Sequence, residues 1–311
     1  MLIKQAVQEF LEYLTVELNR SDFTRKGYEK DLNVFMKFLD SREMGELHLQ
    51  QLNSELISKY ILYLTKERES KSNTVRRHII SIKSFCNFLV DSEYLEVNPA
   101  EEVSWPRRPQ KLPKYLQEDE VDKLFQAVPE DTSYSLRDKT ILMCLYYTGV
   151  RVRELVNIKT SEVDLENEFI KISRGKGDRF RKVPMHCRLK EQLMRYFKQA
   201  PSLSGEYLFY SKFGDPISTD YVHQFTVEYA RRAGLNKTVT PHVLRHSFAT
   251  HLYRDNIGLP TLGKLLGHEH ITSTAIYLHT DLEHMREAVE RLNVSGRLEK
   301  EINKVGGIED A

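Results

Sequence analysis

The stretch SWPRRPQKLPKYLQ, residues 104–117, interrupts a chain that is otherwise patterned for regular secondary structure. Its three prolines prevent a helix, because proline lacks a backbone N–H and its ring clashes with the preceding turn. The stretch has no acidic residue, and its basic residues are Arg107, Arg108, Lys111 and Lys114. We therefore predict an extended basic linker over residues 104–114.

This linker divides the chain into two domains. The first is predicted over residues 1–103 and the second over residues 115–295, with a tail over residues 296–311. Two domains suit a chain of 311 residues, since a single domain usually has about 100 to 200. Hydrophobic residues make up 40% of the chain and charged residues 29%, a composition typical of globular proteins.

Apolar residues of the first domain recur every three or four positions. They do so in four segments, which contain Phe10, Tyr28, Ile57 and Ile79. This periodicity predicts four amphipathic helices that pack as a bundle. Ser21, Asn53 and Ser72 are candidate N-terminal caps, because their side-chain oxygens can accept hydrogen bonds from first-turn N–H groups.

The second domain combines helices with a small antiparallel sheet, so the fold class is mainly α with a mixed α+β second domain. The predicted strands are Phe169–Ser173, Arg181–Met185 and Tyr207–Tyr210. The predicted helices are Glu118–Ala127, Leu136–Tyr147, Thr219–Ala233, Pro241–Asp255, Pro260–Leu266, Thr272–His279 and Asp281–Leu292. Gly149 suits a left-handed stop after the second of these helices.

Several features argue against a membrane, secreted or metal-binding protein. The longest uninterrupted apolar run, Ile141–Tyr147, is far shorter than the roughly 18 residues that span a bilayer. The N-terminus lacks the pattern of a secretory signal, so we expect a cytoplasmic protein. Cys86, Cys144 and Cys187 are odd in number and far apart, which favours reduced thiols that mostly fill the core.

The formal net charge of +1 taken alone argues against a nucleic-acid partner. The charge is unevenly distributed, however. Basic residues predominate between Ser173 and Lys190, and acidic residues predominate between Asp281 and Ala311. Because a phosphate responds to the local electrostatic field, the near-neutral total does not exclude DNA binding.

Six residues of the second domain have side chains suited to phosphate chemistry. They are Arg151, Lys176, His242, Arg245, His268 and Tyr277. His242 and Arg245 lie three positions apart and share one face near a helix N-terminus, which favours an anion. Each motif alone also fits a simpler interpretation, such as a helix cap, an exposed turn at Lys176 or an ion pair between Arg151 and Glu154.

The order of these six residues resembles the active-site signature of the tyrosine site-specific recombinases, the phage integrase family. The segments Ser21–Thr24 and Tyr28–Leu32 resemble parts of that family's helical core-binding domain, and Leu112–Leu116 resembles the start of its catalytic domain. The two-domain layout is most similar to the Xer-type recombinases. The resemblance implies a four-helix, DNA-binding core-binding domain followed by the α+β catalytic domain.

The resemblance further implies that Tyr277 attacks a scissile DNA phosphate and forms a 3′-phosphotyrosyl intermediate, which leads to a Holliday junction. A phenol has an ordinary pKa of about 10, so it needs nearby cations or a base to become a nucleophile. The other five residues supply these groups. Neither ATP nor a metal ion nor another cofactor is implied.

The resemblance assigns those five residues three roles. Arg151, Arg245 and His268 would stabilise charge on the phosphate. Lys176 would protonate the leaving 5′ oxygen, and His242 would act as a base or proton carrier near the tyrosine.

Two groups of basic residues are candidate DNA contacts. Lys71, Arg76, Arg77 and Lys83 lie in a predicted helix, where Arg76 and Lys83 are seven positions apart and share one side. Arg107, Arg108 and Lys111 belong to the linker, which could cross the DNA backbone. An ordinary solvated helix face and an ordinary linker remain alternatives.

The resemblance implies double-stranded DNA with inverted-repeat arms as the partner, bound by a homo- or hetero-tetramer on two DNA sites. The helix containing Met285, Ala288, Val289 and Leu292 would couple neighbouring copies, although packing within one chain is an alternative. A type IB topoisomerase and a catalytically silent DNA-binding regulator are the other candidate functions. Resolution of chromosome dimers and integration or excision of a mobile element both remain open as biological roles.

Overall fold

The computed structural model describes residues 1–18, 22–106, 114–173, 180–199, 205–268 and 274. The chain forms two compact units, Met1–Lys111 and Leu112–Ala311. Their boundary lies inside the proline-containing stretch. The finer bounds that we gave for the linker and the tail stay predictions.

The described part of the N-terminal unit contains four α-helices, which confirms the predicted bundle. They are α1 (Ile3–Val16), α2 (Asp22–Ser41), α3 (Ser54–Leu62) and α4 (Ser72–Asp91). Their apolar faces meet in a core rich in aromatic rings. The ring of Phe10, for example, lies 5.5 to 5.7 Å from those of Tyr28, Phe85 and Phe88.

The three predicted helix caps have different outcomes. Asn53 caps α3, because its side chain accepts a hydrogen bond from the Leu56 N–H at 2.9 Å. The cap predicted at Ser72 was wrong. Ser72 is the first helical residue, and Lys71 occupies the cap position without a side-chain hydrogen bond. Ser21 lies outside the described residues.

The described part of the C-terminal unit packs helices around a three-stranded antiparallel sheet, as predicted. The helices are α5 (Glu118–Gln126), α6 (Ser133–Thr148), α7 (Val152–Val156), α8 (Cys187–Gln199), α9 (Thr219–Arg232), α10 (Pro241–Arg254) and α11 (Leu259–Leu266). The strands are β1 (Val163–Asp164), β2 (Phe169–Ser173) and β3 (Phe180–Pro184), paired in that order. The predicted helices at Thr272–His279 and Asp281–Leu292 fall outside the described residues, and α8 had not been predicted.

The prediction that Tyr207–Tyr210 is the third strand was wrong. Val163–Asp164 takes that place beside β2, whereas Tyr207 and Tyr210 form only isolated bridges to loop residues. The adjacent residues Leu208 and Phe209 are both buried, so this segment lies within the core and does not alternate between a buried and an exposed face.

Two glycines end helices close in sequence to predicted catalytic residues, Arg151 and His268. Gly149 follows α6 with φ of +60°, and Gly267 follows α11 with φ of +68°. A Cβ atom at Gly149 would overlap the Phe248 ring, so a larger residue is excluded both by conformation and by space. The Gly149 stop is thereby confirmed, and it brings Arg151 directly to the start of α7.

In the part of the chain that the structure describes, no helix is both long and hydrophobic enough to cross a bilayer. Cys86 and Cys144 are buried free thiols, as expected of residues that fill the core. Cys187 is exposed at the start of α8.

Candidate active site

The structure describes four of the six predicted catalytic residues, Arg151, His242, Arg245 and His268. Arg151 precedes α7, the next two residues lie on the first turns of α10, and His268 follows the end of α11. The fold brings both histidines within electrostatic range of Arg245 and Arg151. Lys176 and Tyr277 lie outside the described residues.

Arg245 is 6% exposed, and backbone carbonyls of two helix ends hold its guanidinium. Nη1 donates a hydrogen bond to the carbonyl oxygen of Gly149, and Nη2 donates to that of Leu266 at 2.9 Å. Carbonyl groups at helix C-termini lack intrahelical partners and carry the negative end of the helix dipole. They therefore satisfy and stabilise a cation that would be costly to bury alone.

The helix that carries Arg245 begins at a fixed point. Thr240 occupies the N-cap position, and its side chain accepts from the Val243 N–H. Pro241 follows at the first helical position, where its missing N–H costs nothing. The cap and proline predicted from the sequence are confirmed, and they set the direction in which His242 and Arg245 project.

His268 lies between Arg245 and Thr274. Its Nε2 is 3.0 Å from Arg245 Nη2, and its Nδ1 is 2.8 Å from Thr274 Oγ1. Burial, together with the positive charges of Arg245 and Arg151, lowers the pKa of His268 to about 4. The ring is therefore neutral at neutral pH in the absence of a ligand.

His242 is also kept neutral by its surroundings. Burial is the main cause that lowers its pKa, and the charges of Arg245, Arg151 and His223 act in the same direction. A neutral imidazole can accept a proton. Its place one turn before Arg245 on α10 sets this acceptor beside the buried cation.

Arg151 is held by the acid that the sequence suggested. Its Nη1 donates to Glu154 Oε1 at 3.1 Å, and its backbone N–H donates to Glu154 Oε2 at 2.9 Å. The Arg151 side chain is still 42% exposed. It thus combines a defined anchor with an accessible guanidinium.

Sequence reasoning missed Arg181, which it treated only as a strand residue in a basic stretch. In the structure, the guanidinium of Arg181 donates to both Glu154 oxygens, and its Nε donates to the Leu265 carbonyl at 2.9 Å. Burial alone would raise the pKa of Glu154, but the hydrogen bonds and charges of Arg181 and Arg151 lower it to about 2. No local pattern marks Arg181, because its partners lie on other elements.

The candidate DNA-binding residues of α4 divide into two groups. Arg76 and Lys83 share one side, as predicted, and both lie over the ring of Trp105 at 4.9 and 5.2 Å. Arg76 also donates to the Pro106 carbonyl at 3.0 Å.

The other basic residues of the N-terminal unit have different surroundings. Arg77 pairs with Asp31 at 2.6 Å, and Lys71 is exposed just before the start of α4. Arg107, Arg108 and Lys111 lie outside the described residues.

Across the described ranges, no group of three or more His, Cys, Asp and Glu side chains is arranged to hold a metal ion. Arg245 does lie beside another predicted catalytic side chain, since its Nη2 is 3.0 Å from His268 Nε2.

Comparison with known proteins gives matches to both units. Residues 114–284 match the phage integrase family, and residues 7–93 match the phage integrase N-terminal SAM-like domain. Tyrosine recombinase XerC of Anoxybacillus flavithermus is 33% identical over 286 residues, covering 89% of this chain and 93% of that protein. Tyrosine recombinase XerD of Listeria innocua is 32% identical, covering 92% of this chain and 98% of that protein.

Solved structures agree on the fold. The crystal structure of XerA recombinase is 30% identical with a TM-score of 0.53, covering 92% of this chain and 96% of that one. XerH recombinase bound to its palindromic difH substrate, in a post-cleavage complex, is 20% identical with a TM-score of 0.74, covering 92% of this chain and 83% of that one. From these matches and from the arginine and histidine residues that its second unit brings together, the chain belongs to the phage integrase family of tyrosine recombinases.

Proposed function

We propose that the protein is a site-specific DNA recombinase that cuts and rejoins strands through a 3′-phosphotyrosyl intermediate and a Holliday junction. The observation that carries this proposal is the convergence of Arg151, His242, Arg245 and His268 in the unit that matches the phage integrase family. Relatives named as recombinases match nearly the whole chain. These relatives do not support the alternatives of a topoisomerase or a silent regulator.

The two arginines are suited to neutralise a phosphodiester as it reacts. Phosphoryl transfer mainly requires positioning and stabilisation of charge on the nonbridging oxygens. Arg245 is fixed by backbone carbonyls, so it needs little reorganisation when the phosphate binds. Arg151 is more exposed and presents a planar guanidinium that can bind phosphate oxygens in a bidentate manner.

The proton transfers follow from the neutral histidines and from two residues assigned by family resemblance. In the cleavage step, Tyr277 Oη forms a bond to phosphorus while the bond from phosphorus to the 5′ oxygen breaks. His242 takes the phenol proton, and Lys176 gives a proton to the departing 5′ oxygen. A 5′ hydroxyl of the partner strand then attacks the phosphotyrosine, so the number of ester bonds is unchanged and ATP is not required.

We assign DNA with inverted-repeat arms as the substrate and a tetramer on two sites as the working assembly, with the cytoplasm as its compartment. One solved structure with the same fold is of a λ integrase dimer bound to a core site, with a TM-score of 0.71 and 18% identity. In the N-terminal unit, Lys71 and the side of α4 formed by Arg76 and Lys83 are the proposed DNA contacts, together with Arg107, Arg108 and Lys111 of the linker.

A cavity in the C-terminal unit is the proposed acceptor for the C-terminal helix of a neighbouring copy. It has a volume of about 500 Å³ and lies between α5, α6, β3 and α10. Its apolar lining includes Tyr147, Met185, Phe248 and Leu252. Such a surface suits the apolar side of the segment around Met285 and Leu292, whose burial would favour assembly.

Covalent trapping tests the proposed reaction. Fragmented genomic DNA is incubated with the protein, denatured, and the DNA that remains attached is sequenced to reveal the target. A nicked suicide substrate of that sequence should then give a covalent adduct with the wild type and none with Tyr277→Phe. Tyr134→Phe, which changes an exposed tyrosine at the start of α6, is the matched control and should react normally.

A normal adduct from Tyr277→Phe would refute the nucleophile assignment. Lys176→Ala should cleave slowly, and a substrate with a bridging sulfur at the 5′ position should restore the rate, because a thiolate leaves without protonation. If sulfur made no difference, Lys176 would not be the general acid. Relaxation of supercoiled DNA that lacks the trapped sequence would favour the topoisomerase alternative.

A further inference from the structure

The contact between His268 and Arg245 determines which nitrogen of His268 carries the proton. A guanidinium has only donors, so Arg245 Nη2 at 3.0 Å requires His268 Nε2 to accept with its lone pair. In a neutral imidazole the proton is then on Nδ1. That nitrogen lies 2.8 Å from Thr274 Oγ1, which is in place to accept it.

The position of Thr274 is tightly determined. Its side chain is fully buried, and its hydroxyl lies beside Gly263 of α11, where an added Cβ atom would approach Oγ1 to 3.3 Å. The absence of a side chain at Gly263 therefore makes room for the hydroxyl.

We propose that Thr274 is a positioning residue, whose hydroxyl accepts the Nδ1 proton of His268 and holds the ring with Nε2 towards Arg245. This inference rests on the function proposed above.

The fixed tautomer has a consequence for substrate binding. With the proton on Nδ1, Nε2 of the neutral ring has none to donate, so a hydrogen bond from Nε2 to a phosphate oxygen requires uptake of one proton from solvent. The resulting imidazolium would donate from Nδ1 to Thr274 and from Nε2 to the phosphate, once Arg245 Nη2 has moved off Nε2 to bind the phosphate itself. Thr274 Oγ1 accepts from Nδ1 in both states.

The groups that face His268 all favour its neutral form until an anion arrives. They are Arg245 and His246 on α10, Arg151 before α7, and Arg181 on β3. A bound phosphate would offset these positive charges and favour the imidazolium.

The test compares Thr274→Ser, which keeps the hydroxyl, with Thr274→Val, which replaces it by a methyl group of similar size. Loss of an outer hydrogen bond of this kind at metal sites lowers activity by about 10- to 100-fold, and we expect a similar loss of adduct formation rate for Thr274→Val. Its affinity for DNA should change little, and its rate should depend differently on pH. Thr274→Ser should retain the wild-type rate and pH profile.

A second measurement needs neither DNA nor activity. The full-length protein is labelled with nitrogen-15 at histidine, and the His268 signals are those that disappear in His268→Gln. Nitrogen NMR should then show the His268 proton on Nδ1 in the wild type and in Thr274→Ser. In Thr274→Val the proton should stay on Nδ1, because Arg245 still donates to Nε2, but the Nδ1 signal should shift because its hydrogen-bond acceptor is lost. A wild-type ring protonated on Nε2 would overturn the proposal even if a variant failed to fold.

Equal cleavage rates for Thr274→Val and the wild type, or equal losses in Val and Ser, would also overturn it. Failure of the proposed function has a different signature, since then the wild type itself would form no adduct. The NMR result would still report on the tautomer in that case.

Discussion

Arg181 and Glu154 form a two-pronged ion pair: Nη1 donates to Oε1 at 3.0 Å, and Nη2 donates to Oε2 at 2.8 Å. The two side chains are 9% and 12% exposed. The same carboxylate receives the backbone and side-chain N–H groups of Arg151. One acid on α7 therefore joins strand β3 to a proposed phosphate-binding residue.

Replacement of Glu154 by Gln should destabilise the C-terminal unit. The amide presents a donor to Arg181, and loss of one partner of a buried pair typically costs about 3 kcal/mol or more in the free energy of unfolding. Asp122→Asn is the matched control, because Asp122 and Arg188 form an exposed pair at 3.0 Å that should contribute less than about 1 kcal/mol. Urea unfolding, monitored by hydrogen exchange of the backbone amides in α7 and β3, measures the loss of stability in each variant. Equal losses in the two variants would contradict the expectation.

The lowered pKa of Glu154 predicts how the stability of the C-terminal unit changes in acid. The pKa of Glu154 falls from an ordinary value of 4.5 to about 2 on folding, so the unfolded chain binds its proton more readily than the folded one. The carboxylate thus contributes its full stability above pH 4.5 and loses it as the pH falls towards about 2. The stability difference between the wild type and Glu154→Gln should shrink across this window, as thermal melting would show; a constant difference would argue against the assignment.

Gly149→Ala should impair both stability and catalysis. Left-handed backbone costs a residue with a side chain about 1 kcal/mol, and overlap with Phe248 adds about 1 to 3 kcal/mol. Gly214→Ala is the control, because φ is +86° there but no atom lies within 4 Å of the added methyl group. Only Gly149→Ala should also slow adduct formation, since the Gly149 carbonyl accepts from Arg245. Equal melting temperatures and rates for the two variants would disprove this account.

Removal of the Arg77 side chain should affect stability, whereas removal of the Lys71 side chain should affect DNA binding. Arg77 pairs with Asp31, which is 2% exposed, so Arg77→Ala should lower the stability of the N-terminal unit by about 2 kcal/mol. Lys71→Ala should leave stability unchanged but reduce the slope of log affinity for DNA against log salt by about 1. Melting and salt-dependent binding measure the two effects, and the reverse pattern would show that Arg77 is the phosphate contact.

Local signals explain which parts of the fold could be predicted from the sequence. The bundle helices follow from apolar spacing, the end of α6 from Gly149, and the start of α10 from Thr240 and Pro241. Each of these features depends on interactions within a few residues. The segment around Leu208 has no such signal, because its two adjacent buried side chains reflect packing in the core and not strand pairing.

The site was predictable in its residue types but not in its supporting contacts. The roles of Arg151 and His268 were suggested by their order along the chain, whereas the pairing of Arg181 with Glu154 joins residues 27 positions apart. Arg77 illustrates the same point in the N-terminal unit. A basic stretch on α4 predicted that it contacts DNA, which stays a prediction, whereas its pairing with Asp31 on α2 joins residues distant in sequence and had no local signal.

The carbonyl groups that hold Arg245 have a consequence for engineering. Every residue type supplies a carbonyl, so directed evolution towards new target sites can exchange neighbouring side chains without removing the acceptors of this guanidinium. The substitutions tolerated around Arg245 are then limited by the backbone conformation that presents these carbonyls. Gly149 and Gly267 have positive φ, so mutant libraries should leave these two positions unchanged.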